Sequence, residues 1–355
     1  MSLRALCGEI GRKSDRGGSY IFGTMPLAEK ALIAQIRRMA RNGKGGRATI
    51  LAGIGDDCAI LRIPPNHDQL VTTDFSLEGV HFRRDWHPPE SVGHRCLARG
   101  LSDIAAMGGQ PLAAFLSLAL PPELPQSWVT RFLRGLLALA KKYKVTLAGG
   151  DTAQSPNAIL ADIIVVGSVP KGQAILRSQA KPGDRIYVTG TLGGSAAAIH
   201  DLQAHPGKKL NPRAYPRHFY PEPRIAIARA LREKKFASAM IDLSDGLSTD
   251  LAHICAESGV GAEIAARLIP KACVGKSARE VSLALALDGG EDYELLFTAP
   301  ASKDIPAQLA GVPLTYIGVI TRGPAMFVRD ANDVFHELRA QGWEHFRSNK
   351  KALSS

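Results

Sequence analysis

Six clusters in this chain place acidic residues beside Gly, Ser or Thr at predicted turns, and most of these clusters directly follow an apolar, strand-like run. Turns at strand ends are where a rigid scaffold presents side chains to a site. Asp and Gly are also ordinary turn residues, so any one cluster has a structural explanation. Six in one chain favour a shared acidic site. They are Gly55-Asp56-Asp57, Thr72-Thr73-Asp74, Leu101-Ser102-Asp103, Gly149-Gly150-Asp151-Thr152, Asp242-Leu243-Ser244-Asp245-Gly246 and Gly289-Gly290-Glu291-Asp292.

Converging carboxylates need a compensating charge. Two like charges about 4 Å apart repel by about 4 kcal/mol at an effective dielectric constant of about 20. Hard divalent cations relieve this repulsion, and Mg²⁺ binds through a few carboxylates, water and substrate phosphates. The clusters therefore predict magnesium-dependent polyphosphate chemistry.

The familiar phosphate-binding and kinase motifs do not account for such chemistry. Gly275-Lys276-Ser277 resembles the end of a P-loop, but Pro270 occupies the position of the required first glycine. The turn Gly190–Gly194 lacks the dinucleotide-binding spacing, and the sequence has no His-Arg-Asp or Asp-Phe-Gly set.

Apolar periodicity predicts helices and strands mixed in both halves of the chain, hence two α/β or α+β domains with a boundary at the turn Ala180–Asp184. Helix 127–143 is expected to follow Pro125 with a Ser cap. The other predicted helices are 27–41, 88–107, 195–200, 223–234 and 248–258. The predicted strands are 49–52, 59–63, 70–73, 113–120, 145–148, 159–166, 185–189, 239–241, 295–298 and 316–320.

The net charge of +11 raises the alternative of a nucleic-acid-binding protein. Residues 1–47 hold ten Lys or Arg against three acids and so carry seven of these charges, without interleaved aromatic residues. A solvated basic extension is the preferred interpretation. This location of the charge predicts that nucleic acid is not a partner. The five dispersed cysteines, the absence of long apolar segments and the lack of a signal-like start predict a cytoplasmic protein that does not bind a membrane.

The ordered series of motifs between residues 27 and 346 resembles the thiamine-monophosphate kinases. Added to the acidic clusters are Leu101–Gly108, Arg177 with Ala180–Asp184, and Ile241–Gly246. This resemblance implies a two-domain fold shared with aminoimidazole ribonucleotide synthetase, and a homodimer that pairs its N-terminal domains. It also implies ATP and thiamine monophosphate as substrates, with several Mg²⁺ ions as cofactors.

Residues 1–26 combine Gly, Ser and charged residues with little periodicity, which predicts a flexible basic extension. The resemblance implies that residues 27–175 form a domain that binds ATP and Mg²⁺ and forms the dimer. Residues 176–349 would complete the ATP and substrate site, and 350–355 would be a tail. Roles carry over by motif. The implied metal ligands are Asp57, Thr72, Thr73, Asp74, Asp103, Asp151, Asp242 and Asp245; the implied ATP contacts are Gly150, Asp151, Arg177 and Ser244; the implied substrate contacts are His81, Glu291 and Trp343.

Thiamine carries a positive thiazolium, and an indole ring is the best face for a cation–π contact, which favours Trp343. Simple packing is the alternative for Trp343, and a structural role is the alternative for His81. No general base is expected, because a phosphate monoester is already largely ionised at neutral pH. Asp103 and Asp151 are expected to be the most critical residues, through the metal, in a direct transfer without a phosphoenzyme.

Other enzymes of the same superfamily are the nearest alternative function. Selenophosphate synthetase would need a reactive Cys with a nearby Lys in a glycine-rich segment, which neither Cys7 nor Cys58 provides. The hydrogenase-maturation relative would need a C-terminal cysteine. Aminoimidazole ribonucleotide synthetase is disfavoured only by Glu78–Phe82 and Gly289–Leu295.

Overall fold

Two β-sheets, one in each half of the chain, organise this protein. The computed structural model describes residues 27–41, 49–54 and 57–343. The predicted extension 1–26 and tail 350–355 lie outside the described residues. Within the described part, no helix combines the length and apolar character needed to cross a bilayer.

A four-stranded sheet forms the N-terminal half, in the order β3-β6-β4-β5. All neighbouring strands in it are antiparallel except the parallel pair β4 and β5. Helices α2 and α3 cover its inner face. The elements are α1 (Glu29–Arg41), β1 (Ile50–Ala52), β2 (Ile60–Leu61), β3 (His67–Leu77), α2 (Pro89–Ala106), β4 (Gln110–Leu120), α3 (Gln126–Tyr143), β5 (Thr146–Gln154) and β6 (Leu160–Pro170).

An eight-stranded sheet forms the C-terminal half. Seven strands follow the order β16-β15-β9-β14-β7-β12-β8, and β13 pairs with β14. The elements are β7 (Arg185–Thr189), α4 (Gly194–Ala204), α5 (Pro216–Phe219), α6 (Ile225–Glu233), β8 (Ala239–Asp242), α7 (Leu247–Ser258), β9 (Gly261–Ala265), β10 (Cys273–Val274), β11 (Arg279–Glu280), α8 (Leu283–Asp288), β12 (Leu295–Ala299), β13 (Gln308–Leu309), β14 (Val312–Thr321), β15 (Met326–Arg329) and β16 (Phe335–Glu337).

Helix α2 lies between the two halves and is buried nearly all round. Sixteen of its 18 residues are buried, so it has no solvent-facing stripe. Leu97 and Leu101 belong to the N-terminal core, whereas Ala105 belongs to a cluster with Ile175 and Leu231 that joins the two halves. Polar groups on α2 are therefore held in place by protein on several sides.

The longer predicted elements are confirmed, but several boundaries and short elements differ. The predicted Ser cap of α3 is wrong: the helix begins at Gln126 after an extended Pro125, and no side chain caps it. Helix α8 was missed because Leu283, Leu285 and Leu287 alternate with the period of a strand, while Ser282 caps the helix through the amide of Leu285. Strands β9, β10, β11, β13, β15 and β16 were also missed.

Candidate active site at the domain junction

Three carboxylates from both halves of the chain meet at the domain junction. Asp74 lies on β3, Asp103 on α2, and Asp242 is the last residue of β8. Thr72 donates a hydrogen bond to Asp103, and Asp74 shares one with the same carboxyl group. Ser102 Oγ donates to Asp242 Oδ2 across the junction at 2.6 Å. We call Thr72, Asp74, Asp103 and Asp242 the inner group.

The electrostatics of the inner group favour a bound cation. Burial, followed by the charge of Asp103, raises the pKa of Asp74 to about 8. The same two causes raise the pKa of Asp242 to about 7, and burial raises that of Asp103. The atoms of this group that could bind a metal are all carboxylate and hydroxyl oxygens, which are the ligands that Mg²⁺ prefers. The inner group therefore fits a magnesium site.

Thr73 and Asp151 lie on the opposite face of the N-terminal sheet. Side chains alternate along β3, so Thr73 points away from Thr72 and Asp74. It donates to Asp162 Oδ1 at 2.7 Å, and the strand register aligns Asp162 with Ser117 and Ser117 with Asp151. We call Thr73, Asp162 and Asp151 the outer group, which is more exposed than the inner group.

Two further predicted residues, Gly150 and Asp57, lie on the same side of the sheet as the outer group. A Cβ on Gly150 would lie 1.9 Å from the carbonyl oxygen of Leu116, and its φ of +147° disfavours other residues. The close pairing of β4 and β5 thus requires glycine there. Asp57 is exposed beside the β1–β2 hairpin. The structure does not bring Asp57 or Asp151 into direct contact with the inner group.

A cavity of about 480 Å³ opens beside the inner group, and Arg177 belongs to its wall. Thr72 and Asp103 line the same cavity, so Arg177 and part of the inner group are brought together. Its walls are otherwise mostly apolar. The other lining residues are Leu70, Val71, Ile104, Ala106, Met107, Ile175, Leu176, Ser178, Met240 and Glu257.

Ser244 and Asp245 lie in the loop between β8 and α7. Asp250 fixes this loop, because its Oδ2 accepts hydrogen bonds from the amides of Ser244, Asp245 and Gly246, each at 3.1 Å. Ligand atoms of Asp245, Asp250 and His253 lie within 4.8 Å of one another. The loop places Asp245 beyond Asp242, at the start of α7.

Glu291 contacts two buried arginines of α2. Arg95 binds its Oε2 at 2.7 Å, and Arg99 binds its Oε1. Burial opposes ionisation, but the two guanidinium groups outweigh it and hold the pKa of Glu291 well below its usual range. The preceding Gly290 packs so closely that a Cβ would lie 2.5 Å from the Ser244 carbonyl oxygen. Glu291 is thereby joined to α2 and to the 242–246 loop.

His81 and Trp343 occupy different edges of this region. The His81 Nδ1 accepts a hydrogen bond from the amide of Leu77 at 3.0 Å, which fixes its ring at the end of β3. The amide of Trp343 donates to the Asp245 carbonyl at 3.0 Å, while its side chain is 54% exposed. The C-terminal segment therefore presents an indole beside the Asp245 loop.

The sequence alone assigned no role to Arg95, Arg99 and Ser102 at the junction, or to Asp162 in the outer group. The first three lie four and three residues apart on the helix that carries Asp103. With Asp103 they follow the i, i+4, i+7, i+8 spacing of one helical face. This charged face on an otherwise apolar helix was the available signal.

Comparison with known proteins places the chain in a defined class. The AIR synthase related protein N-terminal domain matches residues 55–169, and the corresponding C-terminal domain matches residues 181–331. The fold and the site thus define a two-domain protein of the AIR synthase-related class.

Individual relatives that are similar to this chain identify the family within this class. The thiamine-monophosphate kinase of Salmonella typhimurium is 41% identical over 334 residues, covering 91% of this chain and 99% of the relative. The crystal structure of the Stenotrophomonas maltophilia thiamine-monophosphate kinase has a TM-score of 0.74 and 38% identity, covering 85% and 96% of the two chains. AaThiL complexed with AMPPCP and TMP has a TM-score of 0.69 and 32% identity, covering 90% and 97%. The chain belongs to the thiamine-monophosphate kinase family.

Proposed function

We propose that this protein transfers the γ-phosphoryl group of ATP to thiamine monophosphate and forms thiamine diphosphate. The observation that carries the proposal is the junction itself, where Thr72, Asp103 and Arg177 line one cavity beside Asp74 and Asp242. The names of the relatives support the activity, and the complex of AaThiL with AMPPCP, an ATP analogue, and TMP supports both substrates.

The cavity provides a suitable place for ATP. Its volume of about 480 Å³ falls within the range of about 300–1,000 Å³ usual for small-molecule sites. Apolar residues such as Ile175 and Met240 suit a base, whereas Arg177 and Asp103 stand where phosphates and their cations would be held. Ser258 Oγ donates to the Arg177 carbonyl at 2.8 Å and steadies this part of the wall.

The acceptor needs no general base from the protein. The second pKa of a phosphate monoester is about 6, so the attacking oxygen of thiamine monophosphate is already ionised. The remaining task is to bring two anionic phosphates into line. Mg²⁺, when bound, neutralises phosphate charge. Several ions would be needed: the inner group and Asp245 would hold one set, and Asp57, Thr73 and Asp151 would hold another on the outer side.

On the substrate side we assign Glu291, His81 and Trp343. Glu291 is ionised and 19% exposed at its side chain, so it can still accept a hydrogen bond. Trp343 is 54% exposed, and an indole is the best aromatic face for a cation. Ser244 and Gly150 are proposed ATP contacts, and transfer is proposed to be direct and in line, without a phosphoaspartate.

We also propose that the protein works as a homodimer paired through its N-terminal sheet. Val71 and Phe75, on the outer face of β3, are 63% and 54% exposed, whereas the β1–β2 hairpin covers the face beside Val166. Pairing would enclose the outer group. Sedimentation should give twice the chain mass, and Phe75→Asp should give a monomer; a monomeric wild-type protein would contradict the pairing. The domain limits and the cytoplasmic location stay predictions.

Product chromatography tests the function. Pure protein is incubated with ATP, Mg²⁺ and thiamine monophosphate, with free thiamine as the control acceptor. We expect thiamine diphosphate only from the monophosphate, with one ADP for each. No product from either acceptor, with the protein folded, would contradict the proposal. An acid-labile phosphoaspartate isolated during turnover would contradict direct transfer.

A further inference from the structure

Both carboxylate oxygens of Glu291 are bound by arginines of α2. Arg95 and Arg99 lie one turn apart on α2 and are 3% and 8% exposed. Each binds a different oxygen of Glu291, so the carboxylate plane is fixed from two directions. A single ion pair would leave the carboxylate free to rotate.

A buried polar network holds Arg95 in turn. Its Nη1 donates to the His218 carbonyl at 2.6 Å and lies 3.0 Å from His218 Nδ1, while its Nη2 donates to the His81 carbonyl at 3.2 Å. A guanidinium is always a donor, so His218 Nδ1 must accept and its Nε2 carries the proton. That Nε2 then donates to His87 Nε2 at 2.9 Å. Arg95 therefore has a fixed place and cannot swing away from Glu291.

Arg99 links Glu291 to the strand that carries the inner group. Its Nη1 donates to the Phe75 carbonyl at 2.9 Å, directly after Asp74. On the other side, the amide of Glu291 donates to the Ser244 carbonyl at 2.7 Å. Glu291 is thus held at a fixed place relative to both β3 and the 242–246 loop.

The backbone of Glu291 is strained and requires this support. Its φ is +66°, and that of Tyr293 is +52°, which non-glycine residues rarely adopt. Such conformations persist where the surroundings over-determine them, and they concentrate at functional sites. The two ion pairs and the Ser244 hydrogen bond are the surroundings that determine it here.

We infer that Arg95 and Arg99 are positioning residues, which orient Glu291 so that its remaining acceptor sites face an amino or other donor group of the phosphate-bearing acceptor substrate. A carboxylate has about four acceptor sites, and the two arginines use two of them. This inference rests on the proposed function, because it deepens the role of Glu291 there.

Arg99→Lys tests the inference, because it keeps the charge but loses the planar donor geometry. Arg95→Lys is the second variant. Arg131→Lys is the matched control, since Arg131 forms a bidentate pair with Glu90 on the protein surface, away from the junction. For each variant, kcat, KM for thiamine monophosphate, KM for ATP and Tm are measured, and Arg99→Lys is also combined with Glu291→Gln.

Arg99→Lys is expected to raise KM for thiamine monophosphate about tenfold, as a weakened charge-assisted hydrogen bond would, and to change KM for ATP less than about twofold. In the Glu291→Gln background it should add less than about twofold, because it acts through Glu291. Arg131→Lys should change none of these values. If Arg99→Lys does not fold, Arg95→Lys is expected to give the same pattern.

Three results would overturn the inference: an unchanged KM for thiamine monophosphate, independent and multiplicative effects in the double variant, or an equal change in both KM values with a lowered Tm. The assay of the wild-type protein distinguishes a failure of the positioning role from a failure of the proposed function. If the wild-type protein forms no thiamine diphosphate, the function fails; if it does and Arg99→Lys behaves like wild type, only the positioning role fails.

Discussion

The inner and outer groups are built from the same short stretch of sequence but have different environments. Thr72 and Asp74 face α2, where Asp103 and Asp242 close around them, whereas Thr73 faces outward beside Asp162. Burial raises the pKa of Asp74, Asp103 and Asp242 in the inner group. Asp151 in the outer group is exposed.

This difference shows how one strand can serve two parts of a site. Alternation along β3 sends consecutive residues to opposite faces, so Thr72-Thr73-Asp74 presents side-chain oxygens on both. The inner oxygens are already organised by two domains. The outer oxygens lie on an open sheet, and a bound nucleotide or a second copy of the chain would have to enclose them.

The largest effect is expected in the inner group, for Asp103→Asn. Losing this charge weakens a proposed metal ligand and the hydrogen bonds that Thr72 and Asp74 share with the carboxylate, so turnover at saturating Mg²⁺ should fall by about 10²–10³-fold. Steady-state kinetics measure this. Asp68→Asn, also on β3, is the control and should stay near wild type. A loss of only a few-fold for Asp103→Asn would remove Asp103 from the proposed metal site.

Asp151→Asn applies the same test to the outer group. If that group also holds metal, turnover should fall by at least about 10²-fold despite the exposure of the carboxylate. Turnover within a few-fold of wild type at saturating Mg²⁺ would mean that only the inner group takes part. The comparison of the two variants would then assign the metal to one face of β3.

Trp343→Leu should have a smaller effect, confined to the acceptor substrate. Losing a cation–π contact of about 1–2 kcal/mol corresponds to a rise of about tenfold in KM for thiamine monophosphate, with KM for ATP unchanged. Trp343→Phe should recover part of the loss. An unchanged KM would favour the packing role.

The last prediction concerns stability and pH, without an effect on turnover. In the metal-free folded chain the pKa of Asp74 is about 8 and that of Asp242 about 7, against a usual value of 3.8. Between about pH 4 and about pH 8 the folded chain retains protons that the unfolded chain releases, so stability should decrease as pH rises. Mg²⁺ binds the ionised carboxylates and should reduce this decrease. Tm measured across this range with EDTA or with Mg²⁺ checks it, and equal slopes would contradict it.

Much of the fold was predictable because the longer elements have clear periodicity. Strand β7 was placed at its observed limits, and α2 within one residue at each end. Strands β10, β11, β13 and β16 were not predictable, because two or three residues carry no distinct period. Helix α8 shows the opposite failure, since its alternating leucines have the period of a strand and form a capped helix.

The site was predictable in its members and less so in its arrangement. The acidic clusters identified Asp74, Asp103 and Asp242, which the structure brings together. Only the tertiary fold reveals that Thr73 turns away from them and that Glu291 is held by Arg95 and Arg99. These contacts join residues nearly 200 positions apart, and no local pattern encodes such a pairing.

The most direct test of a magnesium site at the domain junction is anomalous diffraction from crystals soaked with Mn²⁺ and a non-hydrolysable ATP analogue. Mn²⁺ prefers the same oxygen ligands as Mg²⁺. We expect anomalous peaks at about 2.1 Å from carboxylate oxygens of the inner group, close to the phosphates in the cavity beside Arg177. Nucleotide bound in that cavity with no peak at Asp74, Asp103 or Asp242 would contradict it.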